Sequence, residues 1–288
     1  MKVAVVGAGI MGSGVGQLVA MSGGEARVRD VDATQLERAE QGVEKSLARF
    51  VKAGKMSAEE SADAAARVEY TTDLAAALEG AEVVVEAVPE DYELKRRVLA
   101  EIGELAPAEA LLGTNTSQLS ITSLASVLGD GASRLVGIHF FNPPVMMKLV
   151  EVIAGTETEP AQVERAVEFG RALGRETVVC RKDVPGFLTS RAYAILRLEC
   201  VKMLEEGVAS AEDIDKALKL GFNFPMGPLE LGDMNGIDTY VHALEGLERA
   251  HGDRFRPTVG LRNMVAANRL GRKTGAGFYD YDPSPKTS

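Results

Sequence analysis

The sequence predicts an α/β fold, a doubly wound sheet followed by an all-α carboxyl-terminal domain. Three observations predict it. Through roughly the first 180 residues, short β-branched runs alternate with longer segments of helical period, the pattern of a sheet covered by helices. A glycine-rich turn follows the first run at once. Past Asp183-Val184-Pro185-Gly186 the strand runs stop and helical period dominates. The domain boundary is therefore placed at 183, giving domains 1–183 and 184–288.

The elements follow in order. Val3 to Val6 is continuously apolar, as expected of a parallel strand buried on both faces. A helix is expected from Ile10 to Ser22 and a second strand from Arg27 to Asp30. Thr34 with Glu37 three residues on is a capping-box signal for a helix to Lys52. Ser57 and Glu60 repeat that signal. Val68 to Tyr70 is a short strand. Val83-Val84-Val85-Glu86-Ala87-Val88 is a buried strand stopped by Pro89. A helix then runs to Ala106, before Pro107. Further strands are expected at Leu111–Gly113, Leu135–His139, Leu149–Ile153 and Thr177–Val179. In the carboxyl-terminal part, Tyr193, Leu196, Cys200 and Met203 recur at helical spacing, with Ala192, Ile195 and Leu198 beside them. So wide an apolar stripe predicts burial in a core or against a second copy. Ser210 to Asp213 caps another helix, Gly227-Pro228 starts one, and helices continue to about Asn268. Asp282 to Ser288 reads as a frayed tail.

Composition narrows the function classes. The chain has 288 residues, 45% hydrophobic and 26% charged, a globular mix that excludes a disordered, collagen-like or coiled-coil chain. Its net charge of −10 argues against nucleic acid or an anionic membrane as partner. Cys180 and Cys200 are the only cysteines. They cannot form a disulfide scaffold, their spacing matches no zinc motif, and no metal is expected. No apolar run reaches membrane length. The run after Met1 breaks at Gly7, too short for a secretory h-region. A cytoplasmic protein is expected.

Gly7-Ala8-Gly9-Ile10-Met11-Gly12 is G-x-G-x-x-G between a strand and a helix, the context the dinucleotide fingerprint requires. Gly7 permits the tight turn, Gly9 admits a pyrophosphate, and Gly12 lets helix and strand pack closely. The helix N-terminus supplies N–H donors and a positive dipole end. Asp30 closes the second strand, where an acid bonds ribose hydroxyls and repels a 2′-phosphate. NAD is therefore favoured over NADP, although Arg29 could offset part of that repulsion. The amino-terminal domain is read as Rossmann-type.

Three histidines are present. His242 and His251 have no acid or cysteine cluster at ligand spacing, so surface or packing roles are expected. His139 ends a predicted strand, at the carboxyl edge where ligands of open α/β sheets bind, and can take a proton near neutral pH. Glu151 lies inside the apolar run Lys148-Leu149-Val150-Glu151-Val152-Ile153, where an unpaired acid is costly. It either orients His139 or makes a structural salt bridge with an arginine. Ser117, in Asn115-Thr116-Ser117 at another strand end, is either a turn or cap serine or a donor to a substrate oxygen.

At these residues the chain resembles the short bacterial 3-hydroxyacyl-CoA dehydrogenases, above all the 3-hydroxybutyryl-CoA dehydrogenases. The resemblance runs from Lys2 to about Tyr281. Besides the glycine turn it is carried by Asn115-Thr116-Ser117, His139-Phe140-Phe141-Asn142-Pro143, Lys148 to Val152, Asp183 to Phe187, Pro225-Met226-Gly227-Pro228-Leu229-Glu230-Leu231 and Gly271 to Tyr279. It implies NAD-dependent oxidation of a short-chain L-3-hydroxyacyl-CoA to the 3-ketoacyl-CoA, as in β-oxidation. His139 matches the family's base, Glu151 its paired acid, and Ser117 a serine touching substrate and cofactor. Gly7, Gly9, Ile10, Met11, Gly12, Asp30, Glu90, Lys95, Asn142 and Lys273 match NAD-binding positions. Ser46 matches a CoA contact. The family's CoA-binding lysine falls on Ala53, which leaves Lys52 or Lys55 to substitute. Ser190 stands where relatives carry a catalytic-site asparagine. It can still donate and accept a hydrogen bond, with shorter reach. A homodimer through the helical domain is implied. Two alternatives stand beside this reading: a related two-domain dehydrogenase acting on a free hydroxy or sugar acid, and a non-catalytic NAD-binding dimer.

Overall fold

The computed structural model describes residues 1–281; the expected tail Asp282–Ser288 lies outside the described residues. The chain divides into two compact units, Met1–Asp183 and Val184–Ser288.

In the first unit, β1 (Lys2–Val6), α1 (Ile10–Met21), β2 (Glu25–Arg29), α2 (Ala33–Lys52), α3 (Ala58–Ala66), β3 (Val68–Thr71), α4 (Leu74–Leu78) and β4 (Val83–Glu86) follow in order. Next come α5 (Tyr92–Leu105), β5 (Leu111–Thr114), α6 (Ile121–Ala125), β6 (Leu135–Phe140), β7 (Leu149–Ala154), α7 (Pro160–Ala172) and β8 (Glu176–Cys180). The strands form one sheet in the order β3-β2-β1-β4-β5-β6-β7-β8. Neighbours are parallel except β6 and β7, which are antiparallel. Only a short loop joins β6 to β7, too short for the crossover a parallel partner needs. Val3, Val5, Val83, Val85, Val136 and Ile138 are buried in the main core, as continuous apolar runs predict.

Local chemistry sets the helix starts. The Ser57–Glu60 capping box is present in full. The one expected at Thr34 and Glu37 is not. Asp32 caps α2, its carboxylate accepting from the Thr34 N–H at 2.9 Å. An ionised acceptor next to a helix N-terminus also meets the dipole favourably, so Asp32 takes the position. The helices α4 and α6, five residues each, are too short to show a period. Their N-caps, Asp73 and Ser120, accept from first-turn N–H groups.

The second unit contains α8 (Thr189–Glu205), α9 (Ala211–Phe222), α10 (Pro228–Asn235), α11 (Ile237–His251) and α12 (Val259–Ala266). The core face of α8 is turned from the predicted stripe. Ala194, Leu198, Cys200 and Val201 are buried, whereas Tyr193, Leu196 and Met203 lie half-buried at its flank. Two buried carboxylates organise the rest. Asp215 accepts from the Leu229 and Glu230 N–H groups, each at 2.8 Å, and from the Tyr279 hydroxyl. Asp233 accepts from the Phe278 and Tyr279 N–H groups and the Tyr281 hydroxyl, each at 2.9 Å. A Cβ at Gly227 or Gly277 would come within 2.1 or 2.0 Å of these carboxylates. Both glycine-bearing segments of the sequence are thus fixed by an acid.

Among the described residues no helix is long and apolar enough to cross a membrane. Asp233→Asn keeps the shape but turns one acceptor into a donor facing N–H and O–H donors. It is expected to lower unfolding free energy by about 2–4 kcal/mol. Urea denaturation checks this, and a change below about 0.5 kcal/mol, that of an ordinary surface substitution, contradicts it.

Candidate functional site

β1, β2, β4, β5 and β6 point the same way, so their carboxyl ends share one edge of the sheet. The loops leaving that edge enclose a cleft of about 760 Å³. Its lining includes Gly7, Gly9, Ile10 and Met11 after β1, Asp30 and Asp32 after β2, Glu90 after β4, Asn115 and Ser117 after β5, and Asn142 after β6. Most of the predicted cofactor residues are therefore brought together.

The glycine turn is built as the motif requires. Gly7 has φ +111°, and a Cβ there would stand 2.6 Å from the Ala87 carbonyl oxygen. At Gly12 a Cβ would lie 1.8 Å from the Gly7 carbonyl oxygen. At Gly9 it would meet nothing within 4 Å. Gly7 and Gly12 serve the protein's own packing, whereas Gly9 leaves space for something else. Gly9 is also the N-cap of α1 and provides no side chain to its first amides, which suits them to an anion. The Ala8 peptide is held from both sides. Its N–H donates to Asp30 Oδ2 at 2.8 Å, and its carbonyl accepts from Gln35 Nε2 at 2.8 Å. Sequence reasoning missed Gln35, since nothing distinguishes it from the other polar residues of α2.

At the far side of the cleft, Glu90 Oε1 accepts from the Thr116 hydroxyl at 2.6 Å and from the Ser117 and Gln118 N–H groups at 2.9 and 3.2 Å. Asn115 Oδ1 accepts from the Phe140 N–H at 2.9 Å, fixing the end of β6 beside His139. The antiparallel register pairs His139 directly with Glu151, and facing residues of a ladder share one side of the sheet. His139 Nδ1 lies 2.7 Å from Glu151 Oε2, with Glu151 wholly buried and His139 nearly so. The imidazole packs against the Phe141 ring at 4.6 Å between centroids. Facing an ionised carboxylate, which only accepts, Nδ1 would be the nitrogen that donates. Glu151 thus faces His139 across the ladder.

Lys95, expected to contact NAD, has a side chain with no exposed surface. Its ammonium donates to Glu86 Oε1 at 2.7 Å and to the Val88 and Asn115 carbonyls at 3.1 and 3.3 Å. It stands behind the cleft wall, where its charge is neutralised by Glu86. Lys52 and Lys55 were expected beside Ser46. A groove of about 340 Å³ does include Ser46, with Ser13, Gly14, Arg38, Gly42 and Pro144, but neither lysine lines it. The helical period puts Arg38, Gly42 and Ser46 on one face of α2, whereas Lys52 is the last residue of that helix, beyond the groove, and Lys55 lies over Phe50. This groove shares Gly9, Ile10 and Gln35 with the cleft.

Within the helical unit, Ser190 is half-buried in the first turn of α8. Lys273 bonds both oxygens of Asp238, at 2.6 and 2.7 Å, and so holds that carboxyl below its usual range. His251 Nε2 donates to the Pro185 carbonyl at 2.9 Å and packs on Phe255, and His242 is exposed.

The 3-hydroxyacyl-CoA dehydrogenase NAD-binding domain matches residues 2–184, and the carboxyl-terminal domain of the same family matches residues 186–281. The chain belongs to the 3-hydroxyacyl-CoA dehydrogenase family. It is 39% identical over 282 residues to a probable 3-hydroxybutyryl-CoA dehydrogenase of Deinococcus radiodurans, covering 98% of this chain and 100% of that one. It is 38% identical over 289 residues to a probable 3-hydroxyacyl-CoA dehydrogenase of Caenorhabditis elegans, covering 97% and 92%. The crystal structure of (S)-3-hydroxybutyryl-CoA dehydrogenase from Ralstonia eutropha superposes with a TM-score of 0.93 at 38% identity, covering 98% and 99%.

The protein is thus an NAD-dependent oxidoreductase with a Rossmann-type NAD-binding domain followed by a helical domain. The cleft fits that cofactor: Gly9 leaves room for a pyrophosphate, the start of α1 supplies amides, and Asp30 stands at the end of β2 for a ribose. Gly9→Val is the sharp test. The added side chain meets no protein atom, so the melting temperature should stay within about 3 °C. NADH affinity should fall by about a hundredfold or more. Unchanged binding in a folded variant, read by NADH fluorescence, would contradict the assignment.

Proposed function

We propose that the enzyme interconverts short-chain L-3-hydroxyacyl-CoA and 3-ketoacyl-CoA, with His139 as general base. The observation that carries this reading is the buried His139–Glu151 pair, one residue before the strand end that Asn115 fixes. In the oxidation, His139 Nε2 takes the proton of the 3-hydroxyl. Glu151 keeps the imidazole in the Nδ1–H tautomer and stabilises its positive charge as the proton arrives. Ser117 bonds the substrate oxygen. Glu90 holds the Ser117 backbone in place for that contact. Bound NAD supplies the hydride acceptor.

The CoA portion takes the groove with Ser46, and Arg38 supplies the cation there in place of Lys52 or Lys55. The groove's continuity with the cleft through Gly9, Ile10 and Gln35 supports this. We also propose a homodimer through the helical domain, supported by its exposed apolar side chains Val208, Leu220, Phe222 and Val259. A cytoplasmic location agrees with two free, buried cysteines.

The test is NADH oxidation with acetoacetyl-CoA. His139→Gln should lower kcat about 10²- to 10⁴-fold and leave NADH affinity unchanged; equal turnover would remove His139 from its role. Arg38→Ala should raise KM for acetoacetyl-CoA about tenfold, as expected for a lost charge-assisted contact, and spare kcat. Turnover of free hydroxy acids with none of CoA thioesters would overturn the substrate class.

A further inference from the structure

The second unit contains a hollow of about 290 Å³ that shares no lining residue with the cleft or with the Ser46 groove. Phe187, Arg191, Ala192 and Ile195 line one side of it. Arg254 and Phe255, in the turn Asp253–Phe255 after α11, line the other. Both phenylalanines are buried. No acid lines the hollow, although the chain carries −10 overall. Arg256 bonds Glu248 at 2.8 Å and Asp253 at 2.6 Å, so the acids beside the turn are taken. Among the described residues no carboxylate pairs with Arg191 or Arg254. The Arg254 guanidinium lies over the Phe255 ring, 5.1 Å from its centroid. The backbone here is constrained as well. Phe187 has φ +46°, a conformation that a bulky residue keeps only where its surroundings impose it. His251 joins the two sides, bonding the Pro185 carbonyl at 2.9 Å and packing on Phe255. The helical period sets Arg191, Ala192 and Ile195 on one face of α8 and Ser190 on the opposite one.

We propose that this hollow binds a small carboxylate carried on a short apolar or aromatic body. Two guanidiniums without a counter-ion suit a carboxylate, whose oxygens accept paired N–H donors. Phe187, Ile195 and Phe255 suit the carbon body. A positive hollow on an acidic chain concentrates anions locally. Its volume is at the small end for ligand sites, which excludes a dinucleotide or a whole CoA thioester. The ligand is held without any bond being made or broken. The proposal stands apart from the reading of His139, because the two use no common residue.

The test is calorimetric titration of the full chain with benzoate, benzamide and acetate, with NADH saturating so that the cleft is filled. Benzoate should bind with a dissociation constant of about 1 mM or tighter. Benzamide has the ring without the charge, and acetate has the charge without the ring. Each should bind at least about tenfold more weakly. The Arg254 and Ala192 side chains are exposed, so substitutions there should leave the fold intact. Arg254→Ala should weaken benzoate about tenfold, as for a lost charge-assisted contact, and Ala192→Trp should abolish binding by filling the hollow. Arg191→Ala should match Arg254→Ala. Benzamide or acetate binding as tightly as benzoate would overturn the proposal. So would benzoate affinity unchanged in both Arg254→Ala and Ala192→Trp, or no benzoate binding to the wild-type chain up to about 10 mM.

Discussion

The return of β7 against β6 is the constraint on which the chemistry depends. It is the one antiparallel junction in an otherwise parallel order, and its register sets Glu151 opposite His139. A slip of one residue would put the carboxylate on the other side of the sheet. It would then be a buried unpaired acid, costing several kcal/mol. The register that satisfies the acid is thus the one that fixes the His139 ring. Asn115 adds a second hold, by bonding the backbone of Phe140.

Negative charge is placed with the same economy. The chain carries −10 overall and binds a dinucleotide polyanion. The acids in the cleft, Asp30, Asp32 and Glu90, sit against backbone N–H groups and hydroxyls. They act as acceptors that fix loops. The positive end for the phosphates comes from the start of α1, where no carboxylate sits in the first turn.

Much of this was legible in the sequence, and for physical reasons. Apolar runs register burial, so every predicted strand is present. Glycine spacing registers a backbone that must pass close to something, so the turn at Gly7 to Gly12 was readable. An acid inside an apolar strand demands a partner, which marked Glu151. The same signal marks Glu86 in Val83 to Val88, whose partner Lys95 is set by how α5 packs, which no spacing contains. The cap of α2 is Asp32, two residues before the expected Thr34, because a carboxylate accepts more strongly than a hydroxyl at a helix start.

The central claim is that His139 is a neutral base held by Glu151 in the Nδ1–H tautomer. Nitrogen-15 NMR of histidine-labelled protein tests it most directly, with the His139 signals assigned by their loss in a His139-substituted variant. The account predicts a protonated Nδ1 and a pyridine-like Nε2 in the neutral ring, the tautomer less favoured in water. A neutral His139 protonated on Nε2 instead would contradict it.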